Sequence, residues 1–427
     1  MTSSLTSSTL QHTIPDDFDV PRSRPWDALK VFQNHPYIIT ADDFGAATTL
    51  WSFEGGEAKV VTTLNPPLPS SARILNSNSL VVSAPHGVLV LLFHDPKGKK
   101  SPIDVARMYS LGTGELVQEL ELGFEAAWDT LLVSGDTLIL TAKEHDRRPK
   151  VVWYTLSANG LEKEKEGGTD LPDGLTAGME RLVPLYLVDA GSLVTSSTSF
   201  PSNKLEIRLL DHRATITASH ATADYIAPGP VVQVDDSLVL AVTEAEFDQE
   251  LSPAYATIHK ISLSDLSPQW SKSLPYKVID LTYHPALQAL VVLGWKDAKG
   301  SVSEGGHEAI VTFLRKDNGD VLAERTFPWD AGLHALTAKC TPDDNLVVVS
   351  EAGEILVVPL QSVLDSGLPL KEDGRLAMQP SPVRPEPYNT KAAKAGASWK
   401  WVKKAIVGPG AVVLFALRGP EFYAVRW

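Results

Sequence analysis

The chain has 427 residues, of which 43% are hydrophobic and 21% are charged, a balance typical of soluble globular proteins that leaves room for a large core. Its formal net charge of −14 disfavours general binding of nucleic acid, because an acidic chain repels phosphate. Cys340 is the only cysteine, which excludes an intrachain disulfide, and residues 1–21 lack the basic and apolar segments of a signal peptide. We therefore expect a cytoplasmic or nuclear protein that is not secreted and has no membrane span.

Short apolar runs rich in valine, leucine and isoleucine recur along the chain, each after a turn-rich cluster such as NSN, SGD or PDDN. This pattern is typical of strands that are buried on both faces. The runs begin at Tyr37, Ser79, Thr137, Ser192, Ser237, Ala289, Asn345 and Ala411. We interpret each as the second strand of a repeated unit. The predicted third strands begin at Thr48, Val88, Lys150, Lys204, Ala256, Glu308, Glu354 and Glu421.

Some third strands continue through a polar turn into a fourth strand. The clearest turns are TGE at 113–115 and NGD at 318–320, in which Gly and Asn tolerate the positive φ that tight turns need. A strand also precedes several of the runs, so the unit has four antiparallel strands. The runs are spaced by 42 to 66 residues. The sequence therefore predicts an all-β fold, a single closed β-propeller with eight four-stranded blades, or seven as the alternative.

The last unit ends at Trp427 without an outer strand. We expect residues 1–22 to contribute the closing strand, from within Thr9–Val20, and residues 23–427 to form the propeller, because closure removes open sheet edges. Two segments interrupt the pattern. One is the Pro- and Lys-rich excursion at 377–398, which is interpreted as a disordered surface loop or as a short docking peptide. The other is a second loop at Leu161–Gly178.

The units TGELVQELEL, LSDLSPQWSKSLP and DNGDVLAERTFPW resemble the repeats of quinoprotein-like propellers and, more loosely, those of WD-repeat propellers. The resemblance implies a propeller over the whole chain. It does not carry a quinone site over, because the calcium ion and bonded cysteines that hold the quinone in those enzymes find no residue-by-residue match here. The sequence also lacks a Gly-X-Ser-X-Gly elbow, a phosphate-binding Gly-Lys-Ser/Thr loop and metal-ligand spacings of His or Cys. We expect no cofactor and no metal, and whether the protein is an enzyme stays open, with the balance against it.

One face of such a propeller collects the loops between second and third strands, and loops on a rigid scaffold are common binding sites. The candidate partner-binding residues there are Asp42, Asp43, Glu144, His145, Asp146, Arg147, Arg148, Glu246, Asp248, Trp295, Lys296 and Asp297. Arg147 and Arg148 could bind carboxylates of a partner through paired hydrogen bonds. The alternatives are local pairing with Glu144 and Asp146, or the ordinary charge of exposed loops.

The sequence thus predicts a non-catalytic protein-interaction platform or complex subunit, with protein partners in a heteromeric complex. The alternative is a small-molecule enzyme, such as a hydrolase, lactonase or isomerase, with a site at the central channel. A third hypothesis, a subunit of a nucleic-acid-processing complex, depends on the segment Lys371–Lys404, where eight Lys or Arg oppose three Asp or Glu.

Overall fold

The fold is built from antiparallel β-strands, as predicted, and the described residues also include one short α-helix and one 3₁₀ turn at Pro285–Leu287. The structure, a computed structural model, describes residues 6–11, 29–34, 36–42, 48–53, 59–69, 72–74, 80–95, 103–122, 125–143, 149–168, 181–187, 193–199, 204–211, 216–221, 227–244, 255–297, 307–329, 335–372, 376–380, 402–416 and 421–427. Over these residues the strands form eight sheets, which we name sheet 1 to sheet 8 in chain order.

The first strand, β1 (Thr6–Gln11), belongs to sheet 8. Sheet 1 contains β2 (Leu29–Asn34), β3 (Tyr37–Asp42), β4 (Thr48–Ser52) and β5 (Lys59–Thr63). Sheet 2 contains β6 (Arg73–Ile74), β7 (Leu80–Ser83), β8 (Val88–Asp95), β9 (Ile103–Ser110) and β10 (Leu116–Glu121). Sheet 3 contains β11 (Glu125–Ser134), β12 (Thr137–Lys143), β13 (Pro149–Ser157) and β14 (Gly160–Gly168). Sheet 4 contains β15 (Arg181–Leu187), β16 (Leu193–Ser199), β17 (Lys204–Leu210) and β18 (Ile216–Ala221).

The second half of the chain repeats this arrangement. Sheet 5 contains β19 (Ala227–Val234), β20 (Ser237–Glu244), β21 (Tyr255–Ser262) and β22 (Pro268–Leu274). Sheet 6 contains β23 (Lys277–His284), β24 (Ala289–Asp297), β25 (His307–Arg315) and β26 (Val321–Trp329). Sheet 7 contains β27 (Ala335–Thr341), β28 (Asn345–Ser350) and β29 (Ile355–Pro359). Sheet 8 contains β30 (Val402–Gly408), β31 (Ala411–Ala416) and β32 (Glu421–Arg426), with β1 on the far side of β32.

The strands of a sheet lie side by side in chain order, apart from those of sheet 2 and the position of β1. Because neighbours run antiparallel, the connections alternate between two ends of the sheet. We call the end that carries the connections between second and third strands the upper face, and the opposite end the lower face. The lower face carries the turns between first and second strands and between third and fourth strands.

Consecutive sheets pack face to face through buried apolar side chains. Ile39 and Leu50 of sheet 1, for example, share a cluster with Leu89 and Phe93 of sheet 2. Similar clusters join sheet 2 to 3, sheet 4 to 5, sheet 5 to 6, sheet 6 to 7 and sheet 7 to 8. Sheets 3 and 4 meet where β15 contacts β11, β12 and β13. Burial on both faces explains why the second strands are continuous apolar runs rather than alternating ones.

Sheet 8 contacts both the start of the chain and sheet 1. β1 pairs antiparallel with β32 along its whole length, and the paired segment overlaps the predicted range Thr9–Val20 at its end. Ile38 and Trp51 of sheet 1 share a buried cluster with Val413 and Phe415 of sheet 8. The first and last sheets are therefore neighbours.

Some turns between third and fourth strands reach back to the preceding sheet. Gly114 has φ +74°, and a side chain there would overlap the carbonyl oxygen of Thr63 at the end of β5. Gly319 has φ +73° and lies against the ring of Trp270 in sheet 5. These are the glycines of the predicted TGE and NGD turns, which are confirmed. The positive φ and the close approach each favour glycine.

Sheet 7 departs from the predicted unit of four strands. After β29 the chain forms a short helix, α1 (Leu360–Ser366), where other sheets turn into a fourth strand. Gln379 then forms an isolated antiparallel bridge with Ile355 on the open edge of β29. Within the described residues this sheet therefore has three strands, where the sequence predicts four.

An arginine of sheet 6 holds α1 in place. Arg325 donates hydrogen bonds from Nε to the carbonyl oxygen of Val363 at 3.2 Å and from Nη2 to that of Leu364 at 2.7 Å. Both carbonyls lie near the C-terminal end of α1, which a cation stabilises. The helix α1 thus contacts the preceding sheet, sheet 6, just as the NGD turn of sheet 6 contacts Trp270 of sheet 5.

Sheet 2 corrects a predicted strand order. The sequence predicts the runs at Ser79 and Val88 as second and third strands, but β6 and β7 both pair with β8 in the first position, and β9 is the third strand. No apolar run marks β9, because it carries the buried Asp104 and the half-buried Arg107. Asp104 is hydrogen-bonded to His94 of β8 at 2.9 Å, which explains how a strand can bury it.

The loop predicted at Leu161–Gly178 is also wrong in part. Leu161–Gly168 belongs to β14, the outermost strand of sheet 3, and Glu162 and Glu164 there are exposed. An outermost strand has no further strand beyond it, so charged residues are tolerated and its sequence is easily mistaken for a loop. Residues 169–178 lie outside the described residues, as do residues 381–398 of the predicted excursion.

Candidate functional site

The predicted rim residues belong to the connections between second and third strands. Trp295 lies near the upper end of β24 and its side chain is described, whereas Asp42, Lys296 and Asp297 are described as strand positions only. The other predicted residues lie outside the described residues: Asp43, Glu144, His145, Asp146, Arg147, Arg148, Glu246 and Asp248. The segments that hold them, 43–47, 144–148 and 245–254, each follow a second strand and precede a third strand in the sequence.

One loop lies on a different face from the one that the sequence predicts. The predicted second and third strands that begin at Ser79 and Val88 imply that the loop between them, Ala84–Gly87, lies on the upper face, but this loop joins β7 to β8, a first strand to a second, and therefore belongs to the lower face. The correction follows from the strand order of sheet 2.

The described part of the rim includes a cation and an aromatic ring at the upper end of sheet 6. Lys277 and Trp295 are register partners, and the Lys277 ammonium lies 5.7 Å from the centre of the Trp295 ring. Beside them the buried Tyr276 donates a hydrogen bond to Thr312 at 2.5 Å, and burial raises the pKa of Tyr276. Sequence reasoning missed Lys277, because it starts a first strand rather than a loop. The pair is a cation–π contact on a rigid support.

Two hydroxyl–histidine–carboxylate chains lie on the lower face. In the first, Ser83 Oγ lies 2.7 Å from His86 Nδ1, and His86 Nε2 lies 3.0 Å from Asp136 of sheet 3. This order of groups is that of nucleophile-activating triads. Ser83 is only 6% exposed, however, so the hydroxyl is poorly placed to reach a substrate. We interpret the chain as a link between sheets 2 and 3.

The second chain links sheets 6 and 7. Thr282 Oγ1 lies 2.9 Å from His284 Nε2, and His284 Nδ1 lies 2.7 Å from Asp344. His284 is 2% exposed, which again favours a structural role. Neither chain is visible as a motif, but each ends on an aspartate of a short turn, SGD or PDDN, that the strand pattern had already located.

Other lower-face aspartates make equivalent links. Asp235 of sheet 5 pairs with Lys316 of sheet 6 at 3.0 Å. Asp343 of sheet 7 accepts hydrogen bonds from the backbone N–H of Gly410 at 3.1 Å and from Trp427 Nε1 at 3.3 Å, both next to strands of sheet 8. The polar side chains of these short turns are thus used to connect neighbouring sheets.

A buried carboxyl joins the first strands of sheets 6 and 7. Asp280 accepts hydrogen bonds from the backbone N–H of Cys340 at 3.2 Å and of Leu281 at 3.1 Å. Burial raises the pKa of Asp280, against smaller opposing effects of these hydrogen bonds, Lys339 and His284. Burial also raises the pKa of the Cys340 thiol, so this cysteine is a poor nucleophile.

Within the described ranges no three His, Cys, Asp or Glu side chains gather as metal ligands. In the same part of the chain no helix has the length and apolar character that a bilayer span requires.

Among the comparisons with known proteins, those with solved structures give matches. No family model matches the sequence. No curated protein matches it either. Among similar solved structures, Hsv2 from Kluyveromyces lactis has 10% identity over 82% of this chain and 96% of that chain, with a TM-score of 0.43. Hydrazine synthase from Kuenenia stuttgartiensis has 10% identity over 81% of this chain and 99% of that chain, with a TM-score of 0.46.

A third similar structure is quinohemoprotein alcohol dehydrogenase from Comamonas testosteroni, with 8% identity over 93% of this chain and 74% of that chain and a TM-score of 0.49. At these identities a likeness concerns the fold alone. The eight antiparallel sheets, mostly of four strands, confirm the predicted resemblance to quinoprotein-like and WD-repeat-like propellers as one of architecture.

Proposed function

We propose that this chain is a closed eight-bladed β-propeller that serves as a non-catalytic protein-interaction platform, with its upper face as the binding surface. The observation that carries the proposal is the difference between the two faces. On the lower face, short turns use their polar side chains for links between sheets, as at His86–Asp136 and His284–Asp344. The longest connections within sheets, 245–254 and 298–306, each join a second strand to a third, which is the kind of connection that defines the upper face.

Two contacts support closure of the ring. β1 supplies the strand that sheet 8 otherwise lacks, and a buried cluster joins sheet 8 to sheet 1. With the contacts between all other consecutive sheets, each sheet has a neighbour on both sides. Closure would make the upper connections one continuous rim.

The partner would be a protein with exposed carboxylates. Arg147 and Arg148 lie in the connection between β12 and β13, and guanidinium groups bind carboxylates through paired hydrogen bonds. Lys277 over Trp295 adds a second cation to the same face. We also propose that the ring occupies residues 23–427 and that the protein acts in the cytoplasm or the nucleus.

Affinity capture from the native host tests the proposal. We expect a heteromeric partner to co-purify with the wild-type chain and its affinity to fall about tenfold or more in the Arg147→Glu/Arg148→Glu variant, because like charges would then face each other. The matched control is Arg315→Glu/Lys59→Glu, which makes the same change of charge at the lower ends of β25 and β5. Recovery of the chain without any partner, or equal recovery of a partner by both variants, would contradict the proposal.

A further inference from the structure

Three buried hydrogen-bond donors in sheets 3 and 4 have no acceptor among the residues that the structure describes. Arg208 of β17 is 1% exposed, and its Nη2 donates to Glu206 at 2.7 Å. Its Nε and Nη1 have no hydrogen-bond partner, and neither has Nε1 of Trp153, which is 2% exposed.

The donors belong to facing sides of adjacent sheets. In β17, Ile207 and Leu209 pack against sheet 5, so Arg208 between them points to the other side, toward sheet 3. In β13, Val152 and Tyr154 pack against sheet 2, so Trp153 points toward sheet 4. Both are third strands, and β15 of sheet 4 contacts β11, β12 and β13 of sheet 3. One interface therefore holds the unpartnered groups.

The sequence of β16 differs from the other second strands in the same place. Its residues are LVTSSTS, whereas β12, β20 and β31 read TLILTAK, SLVLAVTE and AVVLFA. Thr195 and Ser197 are the register partners of Arg208 and Glu206, so their positions share the face that points to sheet 3. The sequence therefore has hydroxyl residues at two positions where the equivalent strands have mostly apolar ones.

From these observations we propose that sheets 3 and 4 bind a small oxyanion, a phosphate or carboxylate group, between Arg208 and Trp153. A buried guanidinium with unpaired N–H groups is strongly unfavourable without an acceptor. Glu206 reaches only one of the three nitrogens of Arg208. An oxyanion has several acceptor lone pairs, and charge-assisted hydrogen bonds from arginine to such groups are short and strong. The site lies between sheets rather than on the proposed docking face, so it goes beyond the platform function.

Titration of the intact chain with inorganic phosphate, and separately with acetate, tests the inference at constant ionic strength maintained with sodium chloride. We expect a saturable change in tryptophan fluorescence and a rise in the melting temperature with at least one of the two anions. Arg208→Met removes the donors, and we expect the Kd to rise about tenfold or more, the equivalent of one lost charge-assisted hydrogen bond. Trp153→Phe should weaken binding and remove the fluorescence change.

Matched controls come from donors that already have acceptors. Trp270 Nε1 donates to the carbonyl oxygen of Lys316 at 3.1 Å, and all three nitrogens of Arg325 donate to carbonyl oxygens. Trp270→Phe and Arg325→Met should therefore bind the anion as the wild type does. If Arg208→Met fails to fold, Trp153→Phe carries the test. The absence of saturation with either anion, or equal binding by the Trp153 and Trp270 variants, would show that water or nothing occupies the site and would overturn the inference.

Discussion

Several polar side chains of this protein connect one sheet to the next. His284 reaches Asp344, Asp280 reaches the backbone of Cys340, and Arg325 reaches the carbonyls of α1, each from sheet 6 to sheet 7. At each of these contacts, groups of the neighbouring sheet and of sheet 6 itself together meet the hydrogen-bonding capacity of the side chain. Arg208 differs, because two of its nitrogens find no acceptor. The contrast distinguishes Arg325, whose three nitrogens all have acceptors, from Arg208, which has N–H groups left to bind a ligand.

Asp280 gives the stability of the protein a dependence on pH with a defined sign. Its pKa in the folded chain is raised above the ordinary value of 3.8 by burial, so the folded state takes up a proton before the unfolded state as the pH falls. The stability that Asp280 contributes is therefore full below 3.8 and is lost as the pH rises through the raised pKa. Asp280→Asn removes this titration, so the free energy of unfolding of the wild type minus that of the variant should grow as the pH falls from neutral.

Urea unfolding followed by circular dichroism at a series of pH values measures this difference. The control is Asp265→Asn, because hydrogen bonds from Ser267 lower the pKa of Asp265 and predict the opposite trend. A difference for Asp280→Asn that shrinks on acidification would refute the assigned direction.

At the scale of strands, the sequence predicts the elements that are buried on both faces. Runs such as Asn345–Ser350 are apolar throughout, because sheets cover them on both sides. It does not predict elements whose stability comes from particular partners. β9 buries Asp104 against His94, and α1 is short and contacts Arg325 of another sheet. A local sequence pattern carries no information on which side chains pair across strands or sheets.

The residues of the candidate sites could likewise be predicted from the sequence only in part. Trp295 could be located from the strand pattern, whereas Lys277, Arg208 and Trp153 are strand residues whose roles depend on the sheet that faces them. The hydroxyl-rich strand Leu193–Ser199 was a visible signal in the sequence, since it breaks the apolar pattern of its equivalents. Its meaning required the register with Arg208.

The replacement of a fourth strand by α1 can be tested through Arg325. In Arg325→Met the helix loses two charge-assisted hydrogen bonds, so we expect a loss of about 1–2 kcal/mol in the free energy of unfolding, the lower part of the usual range because the guanidinium is only half-buried. Hydrogen exchange should show faster exchange near the helix end, where Gly367 N–H donates to Val363.

The matched control is Arg315→Met, at an exposed position at the end of β25 in the same sheet. Equal exchange near Gly367 in the two variants would mean that Arg325 does not hold the helix.

At the scale of the whole molecule, the proposed function depends on a closed ring, because only closure makes the upper connections a continuous rim. The contacts that would close the ring join opposite ends of the chain. Forming them therefore costs more loop-closure entropy than forming contacts between consecutive sheets. The N-terminal strand has a polar sequence, TSSTLQ, and it pairs with β32 along its whole length. Sequence pattern therefore predicts the need for a closing strand better than its position.

A disulfide across the closing strands tests this central claim most directly. Ser8 and Ala424 are register partners, and directly opposed residues of antiparallel strands lie about 4.5–5.5 Å apart, within the span of a disulfide. In Ser8→Cys/Ala424→Cys, mild oxidation should give an intramolecular crosslink, seen as faster migration on a non-reducing gel, and should raise stability by about 2–4 kcal/mol. Cys340 is buried and should not compete. The control Ser7→Cys/Ala424→Cys is out of register and should not crosslink. Absence of the crosslink in the first variant, or equal crosslinking in both, would contradict closure of the ring by β1.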